Sequence, residues 1–380
     1  MGKKEIRTSK AAKAPPGALF SQGIKAGDLI FISGSPTALN GTFIRKDFQA
    51  AVRQNFENLK AVAEAGGSSL ANAVRVDGYM RDFENFKKIP EIYLEYFPKP
   101  LPALGIVQIG RPPTDTPLGT IATVLAGGLK KEEIKAKAVS RFSLHSQGVK
   151  GAGLIFTQGA PLDLKGRLIE GDFKACAMRA YENAGAVLQA AGSSLDNSIR
   201  VDVYLRDLEN LQVLIEVHKK YLNPPYPAFS ACQPARQLFD SPLSIMVTAL
   251  EEGLEKEEIK TSKAARAPPG MYFSQGIKAG DYIIVTAGPF DLGGKLVDSD
   301  FKSSTRKTYE NIREVLEAAG SSMDNLVRTD NYIRDLEFVD EFNEAYAELV
   351  PEPYPCRGFC QPTRMPMNLP VAAVAIAMAK

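Results

Sequence analysis

The chain carries two histidines, His145 and His218, four cysteines, Cys176, Cys232, Cys356 and Cys360, and no tryptophan. Two imidazoles cannot build a His-rich metal site or furnish a base to each of several active sites. Cys356 and Cys360 stand four apart, but the sequence around them reads as strand and no second ligand pair follows, so a zinc site is not expected. The thiols read as reduced and packed. No G-x-x-x-x-G-K-[ST] loop is present and no G-x-G-x-x-G follows a strand, so no nucleotide cradle is expected. With two histidines, no Ser-His-Asp set can be assembled for more than one cleft. Forty-six basic side chains against forty-four acidic ones give a net charge of +2. That balance argues against a general nucleic-acid binder and against a polybasic membrane anchor.

Apolar residues make up 44% of the chain and charged residues 24%, the composition of a folded globular protein. The longest apolar run, Leu369 to Met378, is far too short to span a bilayer. With no apolar h-region near the start, the expected location is cytoplasmic.

The chain repeats itself three times. Glu5–Gly27 and Glu258–Gly280 agree at 19 of 23 positions. The middle copy, from Glu133, is more divergent but keeps Ser146-Gln147-Gly148. Further on, VRVDGYMRD from Val74, IRVDVYLRD from Ile199 and VRTDNYIRD from Val327 are spaced by 125 and 128 residues. Each copy is long enough to be a domain with its own core. The expected domains are 1–129, 130–254 and 255–380, joined through the charged stretches Lys130–Glu133 and Glu251–Glu258.

Within each copy the elements follow one order. An alternating start (Ile6, Thr8) leads through a Pro-Gly stretch to Ser-Gln-Gly and a second strand at Leu29–Ser33, Leu154–Gln158 or Tyr282–Thr286. A helix opens at the N-cap residues Asp47, Asp172 and Asp300 and stops at Gly66, Gly192 and Gly320. The VR-D-Y-RD strand follows, with Asp82, Asp207 and Asp335 as turn or cap residues. A second helix spans about Phe83–Phe97, Leu208–Leu222 and Leu336–Leu349, and two last strands close the copy. The order β-β-α-β-α-β-β is an α+β domain with helices on one face of a mixed sheet. The bare face needs cover, and a closed ring of the three copies would supply it, leaving a cleft between each pair. Arg111, Arg236 and Arg364 recur after Gln108, Gln233 and Gln361, which points to a scaffold or ring-interior role.

Ser21-Gln22-Gly23, Ile32-Ser33-Gly34-Ser35, Asn55–Leu59, the run Ala65–Leu70 and the strand through Tyr79 to Asp82 resemble the Rid/YjgF family of reactive intermediate (enamine/imine) deaminases. The resemblance covers essentially all of every copy. It implies a chorismate-mutase-like fold and, because the family usually forms homotrimers with ligand clefts between subunits, an intramolecular pseudo-trimer working as a monomer. In the family an arginine on a late strand holds the substrate carboxylate, a task suited to a fixed bidentate cation. That position holds Leu104, Phe229 and Arg357, so one cleft at most keeps the anchor.

The family's late-strand glutamate aligns with Ile121, Met246 and Val374, and its following cysteine with Ile106, Ala231 and Phe359. The aromatic hydroxyl before Ser-Gln-Gly becomes Phe20, His145 and Phe273, with Tyr272 one residue away, and the second-strand serine is Ser33, Gln158 and Thr286. The resemblance thus implies a cofactor-independent enzyme acting on an imine or enamine, with hydrolytic deamination as the family default. Arg357 would bind an anionic group, and Ser33, Gln158, Thr286, Phe20, Phe273 and Tyr272 would line the substrate sites. His145 would act as general acid or base, whereas His218 reads as a packed or half-exposed helix residue. The rival readings are a diverged cyclase, isomerase or C–N bond-rearranging enzyme, and a non-catalytic ligand-binding or scaffold protein. No metal, cofactor, nucleic-acid or membrane partner is expected.

Overall fold

The computed structural model describes residues 2–15, 17–297 and 299–379. Copy 1 places α1 (Phe48–Ala65) and α2 (Ile89–Tyr96), copy 2 α3 (Phe173–Ala190) and α4 (Leu211–Tyr221), and copy 3 α5 (Phe301–Ala318) and α6 (Val339–Leu349). The long helices begin where expected. Asp47, Asp172 and Asp300 each accept a hydrogen bond from the backbone N–H three residues on, at 2.8–3.0 Å. They end in a left-handed glycine, Gly67, Gly192 or Gly320, with φ between 74° and 80°. The next residue's N–H then returns to a carbonyl inside the helix, as Ser68 does to Ala63 at 2.9 Å. In copy 1 the stop therefore lies one residue later than expected, at Gly67, because Gly66 is still helical with φ −78°. Asp82, Asp207 and Asp335 cap the short 3₁₀ turns that lead into α2, α4 and α6, accepting from the N–H of Glu84, Glu209 and Glu337.

Each copy places six strands in its own sheet, and Arg236–Gln237 of copy 2 adds a seventh, antiparallel to Ala103–Gln108, at the edge of the copy 1 sheet. In copy 1 they lie side by side as Lys4–Ile6, Gly23–Ala26, Leu29–Gly34, Leu118–Leu125, Ala73–Met80 and Ala103–Gln108, and only the last pair is parallel. The sequence pattern missed one of these. Ser-Gln-Gly leads straight into Gly23–Ala26, and into Gly148–Gly151 and Gly276–Ala279 in the other copies. Four residues flanked by glycine are too few to carry a period-two signal, and only the hairpin with the next strand reveals them.

Period two is clearest in the strand Ala73–Met80, where every residue is buried. Val76 and Met80 join the core under α1 and α2. Arg75, Asp77 and Tyr79 alternate with them and face the other way. The faces turned from the helices meet in one core shared by all three copies, which includes Phe31, Phe156 and Ile284 and the tyrosines Tyr79, Tyr204 and Tyr332.

The copies meet in cyclic order. Arg75 of copy 1 binds its own Asp77 and Asp202 of copy 2. Arg200 binds Asp202 and Asp330 of copy 3, and Arg328 binds Asp330 and returns to Asp77. The inter-copy pairs are all 2.7 Å, and the six side chains are only 1–4% exposed. Burial alone would push the carboxyls of Asp77 and Asp202 up, but the flanking guanidiniums hold both well below the ordinary range. Arg111, Arg236 and Arg364 also act between copies, but from the rim. They pair with Glu337, Glu84 and Glu209, and all three are substantially exposed. The ring interior belongs instead to Arg75, Arg200 and Arg328.

Asp202→Asn should cost about 3–5 kcal/mol, because it leaves three buried guanidiniums with two carboxylates between them. Asp207→Ala, which removes only a cap, should cost about 1 kcal/mol; urea denaturation compares the two. Since the folded pKa of Asp202 is depressed, its contribution is complete above the unfolded pKa of about 3.9 and is lost as pH falls below it. Acid titration followed by circular dichroism should therefore show the wild type losing stability below about pH 4 more steeply than the variant.

Candidate active site between the third and first copies

Arg357 is the second residue of the strand Cys356–Cys360, paired in register with Thr329. The strand lies against copy 1. The Arg357 N–H donates to Ser33 Oγ at 3.1 Å, and the Cys356 thiol donates to the Phe31 carbonyl at 3.0 Å. One guanidinium nitrogen donates to Asn343 Oδ1 on α6 at 2.9 Å. Four rings surround the cation, with centroids at 4.8 Å (Phe359), 5.5 Å (Tyr346) and 5.8 Å (Phe20 and Phe342). Among the described residues no carboxylate oxygen comes within 4.0 Å of it. Burial pulls its pKa below the usual arginine value, against the opposing effect of the Tyr346 and Tyr309 phenols. The guanidinium faces a cleft of about 610 Å³, whose inner wall includes Ser33, Thr120 and Tyr79 and whose carboxylates, Asp115 and Asp340, are exposed. An enclosed cation without a counter-ion, with free donors toward an open cleft, is built to receive an anion.

A buried polar chain stands behind this arginine. Tyr309 on α5 donates to Asn331 Oδ1 at 2.5 Å, and Asn331 Nδ2 donates to Thr329 Oγ1 at 3.2 Å. Thr329 lies 3.4 Å from the Tyr346 hydroxyl, and Tyr346 packs against the guanidinium. Copies 1 and 2 hold Val76 and Val201 in place of Thr329, and Gly78 and Val203 in place of Asn331. The signal was visible as TDN against VDG and VDV, but nothing in the sequence places Asn331 behind Arg357. That follows only from the strand packing against α5.

The other two clefts follow the same cyclic rule with different chemistry. Between copies 1 and 2, Leu104 stands where Arg357 would, opposite Gln158 and His145. His145 Nδ1 is 2.9 Å from the Ser146 carbonyl, the Gln158 amide reaches its ring, and Phe142 stacks on it at 4.3 Å. A neutral ring protonated at Nδ1 satisfies both partners. Burial lowers its pKa to about 4, the Ser146 carbonyl opposing. Between copies 2 and 3, the Phe229 N–H donates to Thr286 Oγ1 at 3.0 Å, and Phe229 stacks on Phe273. Tyr272 turns away: its hydroxyl accepts from Lys219 and its carbonyl faces His218. His218, held by the Tyr181 hydroxyl at 2.8 Å, is a buried helix residue as expected.

Of the residues singled out in sequence, the structure therefore brings together Arg357, Ser33 and Phe20. Gln158, Thr286 and Phe273 line the other two clefts, and Tyr272 lies outside them. His145 cannot serve Arg357: it sits in a different cleft, and both ring nitrogens are committed. Ile121, in the glutamate position, is buried and pairs in register with Ser33. Sequence reasoning missed Asn343, which no linear spacing connects to Arg357. Among the described residues, no helix is long and apolar enough to cross a membrane.

The sequence pattern of the family described as Endoribonuclease L-PSP matches the chain three times, over residues 11–119, 135–251 and 264–379. A RutC family protein of Pyrococcus horikoshii is 38% identical over 114 residues, covering 30% of this chain and 90% of its own. A protein of Dermatophagoides farinae named 2-iminobutanoate/2-iminopropanoate deaminase is 29% identical over 115 residues, 30% of this chain and 89% of its own. A solved putative endoribonuclease of Thermotoga maritima is 28% identical, with 33% of this chain and 98% of that one covered and a TM-score of 0.31.

Because Arg357 has no carboxylate partner, Arg357→Leu, which restores the residue type of copy 1, should stabilise the ligand-free protein by about 1 kcal/mol. A saturating small carboxylate should raise the melting temperature of the wild type and leave the variant unmoved. Differential scanning calorimetry with and without acetate and pyruvate measures both.

Proposed function

We propose that this chain, which belongs to the Rid/YjgF family (Endoribonuclease L-PSP), hydrolyses a small imine or enamine carboxylate in the single cleft between copies 3 and 1. The three copies would work as an intramolecular pseudo-trimer. The observation that carries the reading is the enclosed guanidinium of Arg357, without a carboxylate and presented to an open cleft beside Ser33. A relative named as an iminobutanoate/iminopropanoate deaminase supports the substrate class.

In this reading Arg357 grips the substrate carboxylate through its fork, with Asn343 and the surrounding rings fixing the direction of approach. Ser33 accepts the Arg357 N–H and keeps its own hydrogen to donate toward the ligand. An enamine first takes a proton on carbon to become the imine. Water then adds to the imine carbon, nitrogen gathers the protons, and the C–N bond breaks to leave a ketone and ammonia. With Ile121 in the glutamate position, no carboxylate beside Ser33 relays protons, so the rate would come mainly from orientation of the bound imine. The net charge of +2 gives a nucleolytic reading no support.

Ile121 favours one second reading: a carboxylate-binding protein without turnover. Ammonia release from the enamine generated in situ from serine or threonine separates the two. Acceleration by the wild type, a roughly 10- to 100-fold loss in kcat/KM for Arg357→Ala, and no loss for His145→Phe would support hydrolysis at this cleft. No acceleration by wild type that still binds pyruvate through Arg357 would leave the binding reading.

A further inference from the structure

The cleft between copies 2 and 3 has the same ancestry of position as the Arg357 cleft but opposite chemistry. Phe229 fills the arginine's place and Val374 the glutamate's, and Met271, Phe273, Phe290 and Met367 complete an apolar wall. The lining amides are already spent. Asn311 donates to Gly288 and Phe290 and accepts from Ala265, while Gln275 donates to Thr261, Ala264 and Ala265 and accepts from Thr261. Ser230 donates to Asp202. Thr286 accepts from the Phe229 N–H, and neither its own hydroxyl hydrogen nor that of Tyr332 has a protein acceptor among the described residues. Arg266, the charged side chain in the lining, is exposed at the mouth.

A second observation points the same way. At the mouth of each cleft a short loop holds two consecutive non-glycine residues in the left-handed region, the first being Thr114 (φ 59°), Phe239 (φ 61°) or Met367 (φ 53°) and the second Asp115, Asp240 or Asn368. Such backbone is costly for a side chain and persists where the surroundings impose it. The presented residue matches the anchor inside. Thr114 guards the cleft of Arg357, Phe239 that of Leu104, and Met367 that of Phe229. Met367 is 50% exposed, an apolar side chain held in water at the opening of an apolar cleft. The space inside is about 80 Å³, smaller than the roughly 150 Å³ cavity that accepts benzene, and it opens toward flexible Met271 and Met367.

We propose that this cleft binds a small neutral molecule with an apolar body and a carbonyl-type acceptor, the acceptor meeting the Thr286 hydroxyl and the body lying under Met271 and Met367. It is a second ligand site, independent of the carboxylate cleft and of any turnover there. Charge complementarity excludes a carboxylate as occupant, because no lining cation is enclosed and desolvating an unpaired anion there is prohibitive.

Acetophenone and its near-isostere benzoate test this by isothermal titration and protein NMR. Acetophenone should bind at one site per chain, weaken about tenfold or more in Met367→Glu, a surface substitution that spares the fold, and weaken about fivefold in Thr286→Val. Arg357→Ala should leave it unchanged. Benzoate should behave in the opposite way, lost in Arg357→Ala and indifferent to Met367→Glu. The proposal is overturned if acetophenone shows no saturable binding up to roughly 10 mM, a weak limit for so small a ligand. It is equally overturned if that binding ignores Met367 and Thr286, or disappears with Arg357. Failure of benzoate to depend on Arg357 would count against the carboxylate cleft alone.

Discussion

Three arginines and three aspartates close a ring of charge at the centre of this molecule, and every cleft between copies depends on that closure. Each carboxylate is shared between the arginine of its own copy and that of the preceding one, as Asp202 is between Arg200 and Arg75. The ring is neutral overall and buried, so its value lies less in net stability than in the high cost of any arrangement that leaves one charge unpaired. It requires the three copies to close on one another, and in the structure they do so in the order 1, 2, 3 and back to 1. With that order fixed, the late strand of copy 3 lies against the second strand of copy 1, and Arg357 meets Ser33 rather than Gln158 or Thr286.

Joining three copies in one chain frees each cleft from the identity that a homotrimer imposes. The consequences run below the surface. Where Arg357 is present, the core behind it exchanges valine and glycine for Thr329 and Asn331, and the buried phenols of Tyr309 and Tyr346 are tied into the same chain. Where Leu104 replaces the arginine, His145 and Gln158 bond to each other and His145 to the Ser146 carbonyl. Where Phe229 replaces it, the walls turn apolar. Even the ring has a local difference. Arg75 and Arg328 each reach a threonine of the next copy, Thr248 and Thr123, at 3.3 Å, whereas Arg200 has Ile376 at that place.

Much of this architecture was legible in the sequence, and its limits were physical. The repeat was plain because 19 of 23 positions in two copies are identical. The helix starts were plain because an N-cap aspartate bonds within three residues of itself. The four-residue strands after Ser-Gln-Gly were not, since so short a segment has no periodicity and exists only through its hairpin partner. Arg75, Asp77 and their counterparts stood in full view in VRVD, IRVD and VRTD. As a charged pair two apart on a strand, though, they do not announce that they face a shared axis, and the exposed Arg111 series drew the scaffold reading instead.

The sequence by itself determined the local elements, the threefold repetition and the inventory of each candidate position, including the fact that only Arg357 keeps a guanidinium. These depend on contacts a few residues apart, or on comparing one copy with another. Only the tertiary structure decided which inventories meet. His145 and Arg357 look like members of one site on paper, but they belong to different clefts, because the packing of whole sheet faces across copies brings Arg357 against copy 1 and His145 opposite Leu104. The cleft of Arg357 takes its two walls from segments 324 residues apart, as Ser33 and Arg357 are, and no local physical signal carries that information.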